Sequence, residues 1–190
     1  MIGEDGMSEE NKHTALIPSA QIAEEAGKRN EAKSARRGEP PLHMNDDMRR
    51  LSTPWSISMV RAKQINSSDL PAGVILDAAA GSGSQLIALA TELKRPALGI
   101  ELDGNIAVLC AANMHVASDK EEIQRTLDRV IIGDGSDAEG AITAYWNSLR
   151  KSGTRAHPPI AMLHLDPARP RDAQNPVSYT HLRAHETRIH

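Results

Sequence analysis

The chain has 190 residues, of which 39% are hydrophobic, and a formal net charge of −3 at pH 7. This length accommodates one domain of ordinary size, and the slightly acidic charge provides no basic field that would by itself bind nucleic acid. One cysteine, Cys110, excludes an internal disulfide and a cysteine cluster for zinc. No apolar run approaches the roughly 20 residues that span a bilayer, and the start lacks the features of a signal peptide. We expect a soluble, cytoplasmic protein without a membrane segment or a bound metal.

Residues 1–48 form a polar first segment that is rich in Glu, Lys, Arg, Ala and Asn. Ile22 and a few alanines are the only apolar positions across residues 19–37, so a helix there has too narrow a stripe to dock firmly. The composition therefore predicts a disordered extension. Two alternatives stay open. In the first, the segment is an arm that orders on a partner, with residues 33–37 as its cationic part. In the second, the start codon is mis-assigned and translation begins at Met44 or Met48.

Residues 49–176 alternate short apolar runs with helical patterns. The runs predict strands at 74–77, 98–101, 130–132 and 160–165, and the patterns predict helices at 85–93, 105–116 and 138–149. Strands that alternate with helices and are almost entirely apolar indicate a parallel sheet that is buried on both faces. The predicted fold class is α/β, an open parallel sheet with helices on both faces, cut off after about the fourth strand.

Residues 177–190 are expected to be foreign to the protein. The segment VSYTHLRAHET at 177–187 looks like the translation, in one reading frame, of a transposon adapter used in sequencing libraries. Such a segment is excluded from reasoning about the fold, and its histidines (His181, His185 and the terminal His190) do not form a metal-binding tail. The alternative is a natural polar tail.

The segment DAAAGSG at 77–83 follows the first predicted strand and opens the next helix. Gly81 and Gly83 allow positive φ angles or a close approach of backbone to a ligand. Asp77, at the strand end, would repel the pyrophosphate of a dinucleotide, but its carboxylate can pair with a ligand ammonium group, directly or through water. The alternative for the glycines alone is a simple tight turn.

Two further acids lie at strand ends: Glu101 closes the second predicted strand, and Asp134 follows the third. Glu101 lies about twenty residues after the glycines, where an acid binds ribose hydroxyls in a βαβ nucleotide site. Asp134, in the segment GDG, can accept a hydrogen bond from the exocyclic amine of adenine. Singly, Glu101 also fits a helix N-terminal charge, and Asp134 fits a turn or an N-cap. Because strand ends of an open α/β sheet meet at one crevice, the three acids together predict a nucleotide site.

The fourth predicted strand ends in HLDPARP at 164–170. Asp166 followed by Pro167 gives a stiff, extended turn with exposed carbonyl groups, which can hold a nucleophilic amine in line with an electrophilic methyl group. Arg169 is a candidate contact to a phosphate or to the substrate. The alternative is a loop with a weak surface ion pair. His164, within an apolar strand, is interpreted as a satisfied core histidine rather than a base.

Taken together, residues 53–171 resemble the Rossmann-like class I S-adenosylmethionine (SAM)-dependent methyltransferase family. DAAAGSG matches the first motif of that family in its D-x-x-x-G-x-G form, with Ala79 where many members have another glycine. DPAR is similar to the (D/N/S)-P-P-x turn of amino-methylating members, with Ala168 in place of the second proline. The resemblance implies SAM as the cofactor, held by Asp77, Ala79, Gly81, Gly83, Glu101 and Asp134, and methyl transfer by Asp166, Pro167 and Arg169.

Two branches of the family look most similar. Residues 52–63 look like the helix that precedes the first strand in trimethylguanosine-synthase-like proteins, and DPAR is similar to methyltransferases that carry a THUMP-like domain. Both imply RNA as the methyl acceptor. A small molecule or a protein as acceptor, and a non-catalytic SAM-binding module, remain alternatives. An NAD-dependent oxidoreductase would need a third glycine where Leu86 stands. Because the family sheet has seven strands, the resemblance implies that this chain is an inactive fragment.

Overall fold

The computed structural model describes residues 13–27, 29, 31–118 and 125–166. From residue 74 onward the helices and strands agree with the predicted ones to within two residues at each end. Within the described ranges, no helix combines the length and the apolar character that crossing a bilayer requires. The elements in chain order are β1 Thr14–Leu16, α1 Ala20–Glu25, α2 Glu31–Arg37, α3 Asp46–Leu51, α4 Trp55–Lys63, β2 Val74–Asp77, α5 Ser84–Leu93, β3 Ala97–Glu101, α6 Gly104–Ser118, β4 Arg129–Ile132, α7 Ala138–Lys151 and β5 Ile160–His164.

The five strands form one open sheet in the order β1-β4-β3-β2-β5. The pairs β4–β3, β3–β2 and β2–β5 are parallel, and β1 is antiparallel to β4. The chain runs outward from β2 through β3 to β4 and then returns to β5 on the other side of β2. The strand order therefore reverses between β2 and β5, and the carboxyl ends at such a switch point border the ligand crevice of open α/β sheets. The predicted α/β class with a Rossmann-like open sheet is confirmed.

Helices cover both faces of the sheet because successive strand residues point to opposite sides. Ile75 of β2 packs with α5 and α6, whereas its neighbours Val74 and Leu76 pack with α7. These side chains are at most 2% exposed. Burying an aliphatic side chain of this size contributes about 1.5–3 kcal/mol relative to leaving it in water. The two apolar layers hold the strand ends in a fixed arrangement, which is what a site at the sheet edge requires.

The described part of the amino-terminal segment contains helices and a strand, whereas its composition predicts a disordered extension. The described part of residues 1–48 contains β1, α1 and α2, and Leu16 and Ile22 pack against the core that α5 and α6 share. β1 pairs with the edge of β4 that β3 leaves open, with Thr14 opposite Ile132. A strand of three residues has no alternating pattern long enough to detect in the sequence. Its conformation follows from the hydrogen-bonding groups that the edge of β4 offers.

Candidate functional site at the sheet switch point

The turn after β2 depends on its glycines. Gly81 and Gly83 have φ angles of +53° and +80°, in the left-handed region that favours glycine. A Cβ atom at Gly83 would also lie 2.8 Å from the Sγ atom of Cys110 in α6. Gly83 thus meets both a conformational and a steric requirement. Burial raises the pKa of the Cys110 thiol, so this side chain stays protonated and serves packing.

Glu101 connects the end of β3 to the glycine turn. Its Oε2 atom accepts a hydrogen bond from the backbone N–H of Gly81 at 2.9 Å, and its Oε1 atom accepts one from Asp103 N–H at 2.9 Å. Each carboxylate oxygen has a second lone pair, so Glu101 keeps acceptor capacity toward a ligand. The acid and the glycine, twenty residues apart in the sequence, therefore meet at one edge of the sheet, as the strand-end pattern predicts.

Asp134 lies in the loop after β4 and is exposed. Its Oδ1 atom accepts a hydrogen bond from Ser136 N–H at 2.8 Å. Hydrogen bonds from the Ser136 backbone and side chain lower the pKa of Asp134, so the carboxylate is ionised at neutral pH. The loop also packs closely against the turn after β2. A Cβ atom at Gly135 would overlap the carbonyl oxygen of Ala78, so only glycine fits at this position. The loops that follow β2 and β4 therefore touch.

Asp77 is almost entirely buried, and both of its oxygens have partners. Oδ1 accepts a hydrogen bond from Ala79 N–H at 3.1 Å, and Oδ2 lies 3.1 Å from Nδ1 of His164. His164 is the residue opposite Asp77 in the parallel pairing of β2 with β5. The hydrogen bond to Asp77 raises the pKa of His164, while burial opposes this rise. The sequence predicts a satisfied core histidine at position 164; Asp77 is the partner of its Nδ1 atom, but the side chain is 18% exposed.

Asp166 lies just beyond β5 and is exposed. Its Oδ2 atom is 3.2 Å from Nη1 of Arg61, which also donates a longer hydrogen bond of 3.4 Å to Gln85 Oε1 in α5. The Arg61 and Asp166 side chains are 47% and 56% exposed, so their ion pair adds little to stability. Pro167 and Arg169, the other two predicted methyl-transfer residues, lie outside the described residues. No sequence pattern indicates Arg61, because its proximity to Asp166 depends on how α4 packs.

A cleft of about 360 Å³ opens beside the start of α5. It is formed by α2, by the segments flanking α3 and by the start of α4. The strand-end acids are not among the described residues that line it. The cleft was not predicted, because half of its lining residues belong to the segment that was expected to be disordered. Its charged and aromatic lining residues are Arg37, Glu39, Arg49 and Trp55.

Two hydrogen bonds connect the cleft to the glycine turn. The hydroxyl groups of Ser52 and Ser82 are 3.1 Å apart, and Ser84 Oγ donates to the carbonyl oxygen of Thr53 at 3.0 Å. Thr53 and Ser84 both line the cleft. The segment that lines the cleft and Glu101 therefore both hydrogen-bond to the same glycine turn.

Asn113 of α6 is a buried residue of this site that sequence analysis did not assign to it. Its Nδ2 atom donates to the carbonyl oxygens of Ser82 at 2.8 Å and of His43 at 2.9 Å. Its Oδ1 atom accepts a hydrogen bond from the backbone N–H of His43. The available signal was an asparagine on the apolar face of a predicted helix, because a buried amide needs hydrogen-bond partners.

The structure brings together most of the predicted cofactor residues. Gly81, Gly83 and Glu101 form one cluster with the buried Asp77, and Asp134 stands on the neighbouring loop. Asp166 follows the adjacent strand, on the other side of the switch point. Comparisons with family models, with curated protein sequences and with solved structures find no match to this chain.

Proposed function

We propose that the uninterrupted gene product binds SAM at this site and transfers its methyl group to RNA. The proposal depends on one observation: acids lie at or just beyond the carboxyl ends of the neighbouring parallel strands β2, β3 and β4, and Glu101 among them binds the glycine turn beside the switch point. Carboxylates at this edge disfavour the pyrophosphate of a dinucleotide and favour a cationic ligand. SAM carries a sulfonium and an ammonium group, and its nucleoside part has the hydroxyl and amine donors that acids bind.

The strand-end residues have distinct proposed roles toward SAM. Glu101 accepts hydrogen bonds from the two ribose hydroxyls through its remaining lone pairs, and Asp134 accepts one from the adenine amine through its Oδ2 atom. Gly81 and Gly83 let the backbone approach the ligand. Asp77 is buried beneath the turn, so its contribution is to hold Ala79 N–H and His164 rather than to contact the ligand directly.

The cleft beside α5 suits the amino-acid end of SAM. That end is a zwitterion, so it needs an acidic and a basic group within a few ångströms. Glu39 supplies a carboxylate for the ammonium group, and Arg37 and Arg49 supply guanidinium groups for the carboxylate. Ser84 lines the cleft and directly follows Gly83, so the proposed site for the amino-acid end lies next to the glycine turn.

Methyl transfer requires mainly positioning, because the sulfonium group is already reactive. Asp166 is proposed to orient the nucleophile by accepting its hydrogen bond. The exposed Arg61 beside it can contact a backbone phosphate of an RNA acceptor. RNA as the acceptor is further supported by the resemblance of residues 52–63 and of DPAR to RNA-methylating branches of the family.

The test is transfer of a labelled methyl group from SAM to total RNA of the source organism. It uses the uninterrupted gene product read from genomic DNA, because residues 177–190 are expected to be foreign to it. Isothermal titration measures SAM affinity in parallel. The variants are Asp166→Ala, Glu101→Gln and, as a matched control, Glu92→Gln on the exposed face of α5. An RNase-treated sample shows whether the label is in RNA.

We expect the wild-type protein and Glu92→Gln to label RNA equally. Asp166→Ala should lose most transfer while it keeps its SAM affinity. Glu101→Gln should bind SAM at least about tenfold more weakly, because hydrogen bonds to charged groups contribute about 1.5–3 kcal/mol. SAM binding without label in RNA would instead indicate a small-molecule or protein acceptor, or a non-catalytic module. Absence of SAM binding in the wild type would refute the proposal.

A further inference from the structure

His164 and Asp77 form a partly buried hydrogen-bonded pair at the switch point of the sheet. The two residues are opposite each other in the parallel pairing of β2 with β5, and Nδ1 of His164 is 3.1 Å from Oδ2 of Asp77. The other Asp77 oxygen is fixed by Ala79 N–H at 3.1 Å. The side chain of Asp77 is 3% exposed and that of His164 is 18% exposed. A rigid, buried carboxylate therefore holds an imidazole that solvent still reaches.

This arrangement selects one tautomer of His164. An ionised carboxylate only accepts hydrogen bonds, so Nδ1 of His164 must carry the proton and the lone pair of the neutral ring is on Nε2. Among the described residues, Nε2 has no hydrogen-bond partner, and it is not one of the buried unpaired atoms. The carboxylate also stabilises the imidazolium that forms when Nε2 takes a proton.

The surroundings of His164 connect it to the proposed methyl-transfer step. Asp166 lies two residues beyond His164, the last residue of β5, and its charge is close enough to act on the imidazole. The charged groups that act on His164 are Asp77 from β2, Asp166 after β5 and Arg61 from α4. A nucleophile that is held by Asp166 would therefore lie close to the imidazole of His164.

We infer that His164 is the proton acceptor of methyl transfer and that Asp77 is its positioning residue; this inference rests on the proposed function. The nucleophilic N–H or O–H group of the acceptor attacks the methyl carbon of SAM. A bond forms between the nucleophile and that carbon, and the C–S bond breaks with its electron pair going to sulfur, which yields S-adenosylhomocysteine. The proton of the nucleophile passes to Nε2 of His164 and then to solvent.

The test measures kcat at saturating SAM and RNA between about pH 5.5 and 9, with the full gene product. The variants are His164→Gln, Asp77→Asn and the control His115→Gln, near the end of α6 that is remote from the switch point. SAM affinity and urea unfolding are measured for each variant. These readouts separate a role in proton transfer from a role in binding or folding.

We expect His164→Gln to bind SAM as the wild type does and to lower kcat about 100-fold, a typical effect of losing a general base. The wild-type kcat should rise with pH as His164 loses its proton, and this rise should be absent from His164→Gln. Asp77→Asn removes the charge that raises the pKa of His164. The rise of kcat with pH should therefore occur at lower pH in this variant than in the wild type. His115→Gln should match the wild type.

An unchanged kcat and pH profile in His164→Gln would overturn the inference while RNA methylation by the wild type stands. If that variant does not fold, the Asp77→Asn profile decides. A shift to lower pH supports the inference, and an unshifted profile overturns it. A wild-type protein that binds SAM but transfers no methyl group would refute the proposed function, and the inference with it.

Discussion

Gly83 carries two constraints that a pair of substitutions can separate. Gly83 and Gly153 have nearly the same φ angle, +80° and +82°, but only Gly83 has a neighbour close to the position of a Cβ atom. Gly153→Ala therefore tests backbone strain alone and should cost about 1–2 kcal/mol of unfolding free energy. Gly83→Ala adds overlap with Cys110 Sγ and should cost about 3 kcal/mol or more.

Urea unfolding of both variants checks this expectation. The double variant Gly83→Ala with Cys110→Ala removes the sulfur atom that the new methyl group would meet. We expect the two substitutions to couple by about 1 kcal/mol or more in the double-mutant cycle. Equal costs for Gly83→Ala and Gly153→Ala would show that the contact with Cys110 relaxes freely and that only the φ angle requires glycine.

The conformation or position of a residue at a strand end was predictable where the residue type itself indicates its role. Gly83 and Glu101 follow apolar runs, and both the positive φ angle and the shared edge follow from that pattern. The partner of Asp77 was not predictable. His164 lies 87 positions further along the chain, and its contact with Asp77 depends on the pairing of β2 with β5. Periodicity within one element contains no information about which strand becomes its neighbour.

At the scale of elements, Asn113 joins α6 to two segments that are distant in sequence. It hydrogen-bonds the backbone on both sides of His43 and the carbonyl oxygen of Ser82. Asn113→Ala leaves these buried groups unpaired, and each such group costs about 1–3 kcal/mol. We expect a loss of about 3 kcal/mol of unfolding free energy and faster proteolysis of the segment around residue 43. The measurements are urea unfolding and limited digestion with mass spectrometry.

The control for this prediction is Asn147→Ala on α7, whose side chain accepts only an exposed hydrogen bond from Arg150. That variant should change the unfolding free energy by at most about 0.5 kcal/mol. If Asn113→Ala is as stable as Asn147→Ala and is digested no faster, the amide of Asn113 does not anchor the segment before α3.

The start of β4 shows where apolar patterning misplaces the end of an element. The predicted strand begins at residue 130, but the observed strand begins at Arg129, which is 2% exposed. Its guanidinium group donates to Ser148 Oγ at 2.9 Å and to Ser152 Oγ at 3.0 Å, both at the end of α7. A buried arginine needs such partners, and they come from an element that the local sequence does not identify.

At the scale of the whole molecule, strand order determines where the site lies. The sequence predicts four parallel strands and acids at their ends, but not that β5 lies beside β2 rather than beyond β4. That placement creates the switch point and puts Asp166 just beyond the strand that neighbours β2. The antiparallel β1 was also unpredicted, because three residues carry too little pattern. The class of the fold therefore follows from local periodicity, whereas the arrangement of the site follows from packing between elements.

Two histidines should give the stability of the molecule opposing dependences on pH. The hydrogen bond to Asp77 raises the pKa of His164 above its ordinary value of 6.5, so the folded protein binds more protons than the unfolded chain near and above that pH. Its stabilisation is full below pH 6.5 and is lost as the pH rises through the raised pKa. Burial, together with Arg29, lowers the pKa of His43. Folding therefore keeps His43 neutral, and stability is lost as the pH falls below 6.5.

Urea unfolding between about pH 5 and 8 distinguishes the two contributions, because the slope of stability against pH equals the difference in bound protons. His164→Gln removes the group whose stabilisation grows on acidification, so this variant should lose more stability than the wild type as the pH falls. His43→Gln should lose less, because its unfolded chain no longer gains a proton that the folded protein excludes. Comparing slopes rather than absolute values removes the packing cost of each substitution. Parallel slopes in all three proteins would mean that neither histidine changes its proton affinity on folding.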